Sequence, residues 1–420
     1  MTAPTKPSRK KRSKKKVRVG VVGVRRGMTF AREAASVGME LVALCDTSEE
    51  RLHKAGAELG VAAYTDFNKF LEHDMDAVVL ANYFHEHAPL AIKALKAGMH
   101  VMSETMACKT PAEGVALVRA VEKSGKIYML AENYAYFAYN QEMRRLYDAG
   151  EVGEMQYGEG EYNHSFSERR YCEIAPGVNH WRTWLPSTYY SSHALAPLMY
   201  ITGTRPVRVN ALSIPLSPCD KERPLVRLGD PGSVMLCRMD NESVVRLMGL
   251  TMRGEGIWYR IHGTRGLMEN LRTGDKGMLR VKHERWDLKK GDVREKIYRP
   301  EFPVHAAEAL KTAHAGSDFF TSYHFAEAIR AGKQPELDVF CALDMAMVAI
   351  QSWRSALADG TPFEVPDFRK ESARRKYSKD NWSPWPEDAG PGQPPPSIKG
   401  IRKPTASQVA AARKIWKELG

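Results

Sequence analysis

The sequence predicts an α/β protein whose N-terminal part is a doubly wound parallel sheet and whose C-terminal part is an α+β domain with a large open, mostly antiparallel sheet. Apolar strand-like runs alternate with helix-like segments from residue 17 to about residue 131. The first run turns at a glycine and is followed, about 20 residues later, by an acid at the end of the second run. From Glu154 onward this alternation is replaced by period-two patches rich in Tyr, Val and Thr, which are typical of antiparallel strands.

The elements of the first part have local signals. Ser48 is the predicted N-cap of a helix over 48–59, Gly98 closes a helix over 86–97, and Thr110 caps a helix over 111–123. The other elements follow from apolar runs and spacing: strands over 17–22, 41–44, 76–81, 99–102 and 127–131, and a short helix over 66–73. Parallel strands joined by such helices predict right-handed crossovers.

The second part is predicted from alternation along the chain. Strands are expected over 155–162, 207–213, 233–238, 243–248 and 257–262, with helices over 318–330 and 339–358 covering one face. A Pro/Gly-rich stretch over 382–396 leads to a terminal helix over 406–419 that Thr405 caps. The predicted division is a disordered basic tail (1–16), a nucleotide-binding domain (17–135), a substrate and oligomerisation domain (136–368) and an extension (369–420).

The turn after the first strand carries a dinucleotide-binding pattern. Gly23 lets the backbone approach a pyrophosphate, the next helix offers free N–H groups, and Asp46 can accept hydrogen bonds from a ribose diol. The full pattern has glycines at positions 23, 25 and 28, whereas this chain has Arg25 and, one place early, Gly27. For Arg25 and Arg26 two interpretations stay open, phosphate contact or a solvated loop tip. The acid at 46 favours NAD over NADP, because a carboxylate repels a 2′-phosphate.

A net charge of +12 is typical of proteins that bind nucleic acids, but most of this charge lies in one short segment. Eight lysines and arginines between residues 6 and 16 supply two thirds of it. We interpret this tail as solvated, with contact to a polyanion as the alternative, and expect no nucleic-acid partner for the folded part. The tail has no apolar segment typical of a secretory signal, and the chain has no run of ~18 apolar residues, so we expect neither export nor a membrane span.

The six cysteines are scattered without C-x-x-C spacing, and several lie in apolar runs. We therefore expect a reduced, cytoplasmic protein without structural zinc. His85 and His87 flank Glu86, but no third ligand has suitable spacing, so no metal is predicted.

The ends of the predicted strands carry a family resemblance. Ser103-Glu104-Thr105 and Glu132-Asn133-Tyr134 resemble the Gfo/Idh/MocA family of sugar and polyol oxidoreductases, over about Val17 to Phe368. The resemblance implies a Rossmann domain, an open-sheet domain, bound NAD and a dimer or tetramer. In the family's Glu-Lys-Pro motif the lysine is a catalytic acid/base, and here Thr105 and Met106 replace Lys-Pro. A threonine hydroxyl does not exchange protons usefully near neutral pH.

Later segments resemble one branch of that family, the NAD-dependent glycosidases typified by α-N-acetylgalactosaminidase. The segments that carry this resemblance are 158–164, 180–184, 190–197, 263–266 and the ending over 337–368. In that branch Tyr190 and His193 would lie in the active site, while Tyr162 and Arg182, together with them, would contact the sugar. The cofactor contacts predicted from the motif and the resemblance are Gly23, Arg26, Gly27, Asp46, Asn82, Phe84, His87, Glu104, Thr105 and Asn133.

Each of these residues has a purely structural alternative. Tyr190 and His193 are three apart and would share a face of a helix in any case. Arg182 lies between two tryptophans and could be a cation–π packing element. Tyr162 ends a strand, where core positions are common. Glu161 is a candidate base, but alternation would point it to the same side as the acid at 159, and so to solvent.

The chemistry that the branch implies needs no carboxylate pair, which simple glycosidases require. Bound NAD takes a hydride from a ring carbon, the ketone acidifies the neighbouring C–H, the glycosidic bond leaves by elimination, and water addition and hydride return complete the cycle. His193 and Tyr190 would share the proton transfers and Arg182 would hold substrate oxygens. The alternatives are a conventional NAD-dependent sugar dehydrogenase, with His193 in place of the lysine, and a non-catalytic NAD or sugar sensor.

Overall fold

The structure is a computed structural model that describes residues 16–217, 226–288 and 290–419. These residues form two sheets, a six-stranded sheet A and a nine-stranded sheet B, with helices packed against both. The predicted basic tail lies, except for Lys16, outside the described residues, as does Cys219. In the part of the chain that is described, no helix is long and apolar enough to cross a membrane.

Sheet A confirms the predicted doubly wound architecture. Its strand order is β3-β2-β1-β4-β5-β6, and every strand pair in it is parallel. Its strands and helices, in chain order, are β1 (Val17–Val22), α1 (Gly27–Glu33), β2 (Met39–Cys45), α2 (Glu49–Leu59), β3 (Ala62–Tyr64), α3 (Phe67–Leu71), β4 (Ala77–Leu80), α4 (His87–Lys96), β5 (His100–Ser103), α5 (Pro111–Ser124) and β6 (Tyr128–Leu130).

Two of these five helices, α3 and α5, begin where a side chain caps them. Thr110 Oγ1 accepts a hydrogen bond from Glu113 N at 3.2 Å, as predicted for the start of α5. Asp66 caps α3 by accepting from the backbone N–H groups of Asn68 and Lys69. Ser48 is the N-cap residue of α2, as predicted, but its hydroxyl makes no capping bond; its backbone N–H donates to Asp46 Oδ1 at 2.8 Å.

The second part begins after β6. Its elements, in chain order, are α6 (Ala138–Asp148), β7 (Met155–Asn163), α7 (Glu168–Ile174), α8 (Trp181–Trp184), α9 (Ser192–Thr202), β8 (Pro206–Ile214), β9 (Gly232–Met239), β10 (Val244–Leu250), β11 (Gly256–Gly263), β12 (Gly266–Asn270), β13 (Leu279–His283), β14 (Glu295–Tyr298), α10 (Ala306–Ala309), α11 (Ser317–Ala331), α12 (Val339–Leu357), β15 (Phe363–Glu364), α13 (Glu371–Tyr377) and α14 (Ala406–Leu419).

Sheet B is open and mostly antiparallel, as predicted. Its order is β14-β13-β12-β11-β7-β10-β9-β8-β15, and β7 and β10 form its parallel pair. Helices α9 and α12 pack on one face, against β7 and β8. Helix α9 approaches β7 very closely because Gly160 has no side chain: an added Cβ would lie 2.0 Å from the carbonyl oxygen of Ala194. Helix α9 also contacts residues 133–136, which follow β6, and so comes close to the edge of sheet A.

The acids on β7 do not face solvent, which corrects the sequence interpretation. Glu159 and Glu161 are both buried, at 8% and 5% exposure. Glu159 pairs with Arg246 and Arg260, and Glu161 pairs with Arg272. Alternation along the strand correctly predicts that the two acids point to the same side of the sheet. On that side, however, arginines of neighbouring segments pair with them. These ion pairs leave neither acid free to act as a base.

The C-terminal extension packs back onto both domains. Helix α14 lies on α7, where Trp416 Nε1 donates to the carbonyl oxygen of Cys172 at 3.1 Å and Ala412 is fully buried. Earlier in the extension, the Trp385 ring lies 4.8 Å from that of Phe84 at the edge of sheet A. The extension therefore supports two walls of the region described next.

Candidate active site

The glycine turn after β1 is built for close approach. Gly23 has φ +92°, and an added Cβ would lie 2.5 Å from the carbonyl oxygen of Ala81. Gly27 begins α1, and an added Cβ there would lie 2.7 Å from Val21 Cγ1. The two glycines thus allow the tight turn and the close packing of helix on strand that a dinucleotide-binding loop requires.

Replacing Gly23 by alanine is expected to destabilise the protein by roughly 2–3 kcal/mol, because both the positive φ and a backbone clash oppose a side chain. The matched control is Gly60→Ala, since Gly60 has φ +66° with nothing within 4 Å of an added Cβ. The control isolates the cost of the backbone conformation, about 1 kcal/mol. Urea denaturation measures both variants, and equal losses would show that the contact with Ala81 contributes nothing.

Asp46 links the glycine turn to the end of β2. Its Oδ2 accepts from Val24 N at 2.8 Å and its Oδ1 accepts from Ser48 N at 2.8 Å. A carboxylate has about four acceptor positions, so two remain for the hydroxyls of a ribose. The position and the remaining acceptors are those predicted for a cofactor contact.

Arg26 does something that neither sequence interpretation includes. Its Nη1 and Nη2 donate to the two carboxylate oxygens of Asp318, both at 2.9 Å, and its Nε donates to Glu104 Oε1 at 2.6 Å. Its guanidinium also lies 4.7 Å from the centre of the Phe30 ring. The interpretation of a solvated loop tip is therefore wrong for Arg26, which ties sheet A to helix α11.

Asp318 is the centre of this interdomain cluster. Its side chain is fully buried and also accepts from Asn133 Nδ2 at 2.8 Å and contacts His314 Nδ1 at 2.8 Å. Burial alone would raise the pKa of Asp318, but the hydrogen bonds from Arg26 and His314 outweigh it and hold that pKa well below its ordinary value. The predicted cofactor residue Asn133 is thus oriented by the second domain.

Glu33 adds a pH dependence at the same cluster. Burial and the nearby charge of Asp318 raise its pKa from 4.5 to about 7, against the opposing effects of Arg26 and His314. Because the folded state raises this pKa, its contribution to stability is full below about pH 4.5 and is lost as the pH rises through 7. Glu33→Gln is therefore expected to raise the melting temperature at pH 8 but hardly at pH 5. The control is Glu58→Gln, because Glu58 forms an exposed ion pair with Arg32. An equal change in melting temperature for Glu33→Gln at both pH values would contradict this assignment.

The segment after β4 contributes buried polar atoms to the same edge. Asn82 Nδ2 donates to Glu86 Oε2 at 2.9 Å. His87 Nδ1 bonds the carbonyl oxygen of Met106 at 2.9 Å, and burial lowers its pKa, so the ring is neutral. Phe84 is buried between Trp181 and Trp385. Of the predicted cofactor residues in this segment, Asn82 and His87 offer polar atoms and Phe84 offers an apolar wall.

The described residues fit a polar cofactor at this edge. Several side-chain atoms there are buried and have no hydrogen-bond partner in the described part of the chain: Asn82 Oδ1, His85 Nδ1, His87 Nε2, Thr105 Oγ1 and Glu132 Oε2. Leaving a buried polar group unpaired costs free energy, which a bound ligand with matching groups recovers. Because most of these atoms are acceptors, they suit an amide NH2 group and the hydroxyls of a ribose. Among the described residues there is no group of three potential metal ligands.

A histidine and a carboxylate meet where the two domains join. His193, in the first turn of α9, places its Nδ1 2.6 Å from Oε1 of Glu132, which follows β6 and is fully buried. With Glu132 ionised, Nδ1 carries the hydrogen and Nε2 is an acceptor. Nε2 has no hydrogen-bond partner among the described residues. Sequence analysis missed Glu132, although it lies in the Glu-Asn-Tyr motif that marks the end of β6.

Glu132→Gln tests this contact as a positioning interaction. Removing the negative charge is expected to lower kcat about tenfold with little change in KM, because the imidazole loses the partner that orients it. Glu132→Asp, which keeps a carboxylate, should recover part of the loss. A lower melting temperature without a selective loss in kcat would indicate that Glu132 only supports the fold.

Tyrosine rings surround His193. The ring of Tyr134 lies 4.3 Å from that of His193, Tyr162 lies 4.6 Å away and Tyr190 lies 4.9 Å away. Burial raises the pKa of Tyr134 and Tyr162, so both hydroxyls stay protonated and act as hydrogen-bond donors. Tyr190 precedes α9 rather than lying on it, yet the predicted proximity of Tyr190 and His193 holds. Three predicted residues, Tyr162, Tyr190 and His193, are thus brought together.

Arg182 both packs and faces a cleft. Its guanidinium lies 4.2 Å from the Trp181 ring centre and 5.6 Å from that of Tyr190. Together with Tyr162 and Tyr190 it lines a cleft with about 370 Å³ of empty space. The two interpretations that the sequence left open, stacking and substrate contact, are therefore compatible.

Two families match separate parts of the chain. Residues 17–132 match the family described as oxidoreductase family, NAD-binding Rossmann fold, and residues 228–375 match that described as glycosyl hydrolase 109, C-terminal domain. A glycosyl hydrolase family 109 protein of Saccharopolyspora erythraea is 25% identical over 387 residues, which cover 84% of this chain and 83% of that protein. One of Solibacter usitatus is also 25% identical, over 84% of this chain and 88% of that protein.

Solved structures show the same fold at lower identity. A levoglucosan dehydrogenase in complex with NADH has a TM-score of 0.72 and 20% identity, over 84% of this chain and 100% of that chain. An oxidoreductase domain protein from Kribbella flavida has a TM-score of 0.71 and 21% identity, over 84% of this chain and 99% of that chain. The chain is therefore similar to the Gfo/Idh/MocA oxidoreductases: its N-terminal part matches their NAD-binding Rossmann fold, and its C-terminal part matches the C-terminal domain of glycosyl hydrolase 109.

Proposed function

We propose that this enzyme cleaves a glycoside by redox-assisted elimination, with NAD recycled in the site. The observation that carries the proposal is the 2.6 Å contact between His193 and Glu132, flanked by Tyr162 and Tyr190 and next to the cofactor edge of sheet A. A proton acceptor held beside a nucleotide-binding edge suits the removal of a proton from a sugar hydroxyl.

A simple two-carboxylate mechanism does not fit the cleft. Such an enzyme needs two carboxyl groups on either side of the scissile bond. None of the described residues that line the cleft is Asp or Glu, and Glu132 is engaged by His193. Proton transfers therefore fall to the imidazole and the phenols, which require an activated sugar carbon to be effective.

The cofactor would be held by the residues at the carboxyl edge of sheet A. Gly23 and Gly27 would let the diphosphate approach the backbone, and Asp46 would accept hydrogen bonds from the ribose. Asn82 and Asn133 would contact the polar groups of the cofactor that lie nearer the sugar. When bound there, NAD would supply the acceptor for a hydride from a ring carbon of the sugar and, in its reduced form, the source of the hydride that returns to the sugar. The other predicted contacts, Arg26, Phe84, His87, Glu104 and Thr105, form the walls, with Arg26 and Glu104 paired to each other.

The side chains of the second domain would act on the sugar. His193 Nε2 would accept the proton of the ring hydroxyl, with Glu132 stabilising the imidazolium. Tyr190 would exchange the proton of the neighbouring carbon, and Tyr162 would donate a hydrogen bond to a sugar oxygen. Arg182 would hold substrate oxygens at the mouth of the cleft. Thr105 takes no part in proton transfer, which is why a histidine on α9 carries that role.

The deciding experiment adds no NAD to the purified protein and follows aglycone release and nicotinamide absorbance together on chromogenic aryl glycosides. Steady release without net reduced cofactor is the expected result. Stoichiometric NADH from free sugars with added NAD, and no release from glycosides, would instead make the protein a sugar dehydrogenase, with the same proton acceptor.

We further propose a homo-oligomeric, cytoplasmic enzyme with a small-molecule sugar as its partner. The free cysteines of the described residues support a reducing compartment. The open face of sheet B, with the exposed side chains of Leu212 and Leu236, supports assembly through that face. Light scattering of the purified protein tests the oligomeric state.

A further inference from the structure

The cleft next to His193 carries two guanidinium groups. Arg182 and Arg227 both line it, together with Tyr171, His164 and Thr251. No described residue of the lining bears a negative charge. The surroundings of each arginine show whether its charge is already compensated.

Arg227 is buried without an ion pair in the described part of the chain. It is 6% exposed, and its three bonds go to neutral acceptors: Nε to Gly229 O at 3.1 Å, Nη2 to Asp230 O at 2.6 Å, and Nη1 to Thr251 Oγ1. The carboxylate of Asp230 is held elsewhere, by Ser213, Ser397 and the N–H of Ile398. These bonds fix the orientation of the guanidinium, and among the described residues no carboxylate is in direct contact with it, although Asp230 attracts its charge from a distance.

Arg182 is also free of carboxylates among the described residues. Its guanidinium rests on the aromatic faces of Trp181 and Tyr190, and the backbone oxygen of Arg182 accepts a hydrogen bond from the hydroxyl of Tyr171. Burial lowers the pKa of Arg227, the interactions with Tyr171 and Asp230 raise it, and the charge of Arg182 lowers it, so the two arginines act on each other. Guanidinium groups nevertheless stay protonated in proteins.

Two like charges beside a desolvated cleft raise the free energy of the ligand-free protein, and an anion between them offsets that cost. Sugar hydroxyls can accept hydrogen bonds from arginine but cannot cancel its charge. We propose that the substrate carries an anionic substituent, a carboxylate or a sulfate ester, which binds between Arg182 and Arg227. The proposal rests on the proposed function for the identity of the cleft as a sugar site, and it specifies the substrate class.

Binding rather than turnover tests the anion site, so that its failure is separate from failure of the glycosidase proposal. Titration calorimetry, with NAD present, measures the affinity for two neutral sugars, glucose and galactose, and for their anionic counterparts. These are glucuronate, galacturonate, glucose 6-sulfate and galactose 6-sulfate. At least one anionic sugar is expected to bind about tenfold or more tightly than its neutral parent. A preference confined to the uronates identifies the group as a carboxylate, and one confined to the sulfates identifies a sulfate. No preference for the anion in any pair overturns the proposal, whatever the enzyme does to aryl glycosides.

Two variants assign the site. Arg227→Gln and Arg182→Gln are each expected to reduce the preference to within about threefold of unity, while Arg32→Gln, which breaks an exposed pair with Glu58, leaves it unchanged. Arg182 makes no side-chain hydrogen bond with described residues, so its variant keeps the test valid if Arg227→Gln does not fold. Full preference in the Arg182 variant would place the anion elsewhere and overturn the assignment.

Discussion

Replacing His193 by alanine is expected to lower kcat by roughly three orders of magnitude while leaving the bound NAD in place. The imidazole is the group in the described site that combines a carboxylate partner with a ring nitrogen open to a substrate, since Nδ1 bonds Glu132 and Nε2 has no partner among described residues. The phenols around it cannot replace it, because burial raises the pKa of Tyr134 and Tyr162 far above neutral pH.

The measurement is steady-state kinetics on a sugar or glycoside that the wild type converts, with NAD determined after denaturing the protein. The matched control is His53→Ala, because His53 lies on an exposed face of α2 away from the site. A His193→Ala variant that keeps more than about a tenth of the wild-type kcat would exclude His193 as the acid/base, since such a group typically contributes at least a hundredfold. A loss of NAD together with activity would instead mean that His193 supports the cofactor edge.

Local signals account for the parts of the fold that the sequence predicted well. Thr110 and Asp66 cap helices through side-chain bonds to backbone N–H groups only two or three residues away, and Gly125 ends α5 with a positive φ. Such contacts are short in sequence, so a pattern of residue types is enough to predict them. The same holds for the strand ends, which the alternation of sheet A placed on one edge. Five predicted cofactor residues, from Gly23 to Asn133, follow those strands.

Partners distant in sequence account for what was missed. Glu132 meets His193 across 61 residues, and Arg26 meets Asp318 across 292 residues, so no local pattern marks either pair. The arginines that pair with Glu159 likewise lie on neighbouring strands, and Arg272, which pairs with Glu161, lies just after β12. A charged residue at a loop tip or on a strand appears solvated in a sequence, because its partner is set only by the packing of the second domain. Glu132 itself could have been found, as the acid of the motif after β6.

The two missed pairs have a common consequence for function. Glu132 belongs to the nucleotide-binding part and His193 to the sheet B part, so the proton acceptor is complete only when the two are docked. Arg26 and Asp318 make the same connection a short distance away, from the glycine turn to α11. Docking of the two domains therefore assembles both the cofactor edge and the proposed acid/base, and the pair of Arg26 and Asp318 is part of that docking.

Asp318→Ala is accordingly expected to lower the free energy of unfolding by about 3 kcal/mol, because it leaves Arg26 without its bidentate partner and frees Asn133 and His314. Since the folded state lowers the pKa of Asp318, the wild type should hold this advantage in full above pH ~4 and lose it as the pH falls through the lower folded value. Urea denaturation at pH 7 and pH 3 measures the difference.

The exposed pair of Arg32 and Glu58 is the matched control, because Glu58→Ala removes an arginine partner from the same domain and should cost under about 1 kcal/mol at either pH. A double change of Arg26→Met with Asp318→Leu should recover part of the loss, since it removes both charges rather than stranding one. If Asp318→Ala cost no more than Glu58→Ala, the cluster would be a passive contact. The docking of the two domains would then depend on their other contacts, among them that of Glu132 with His193.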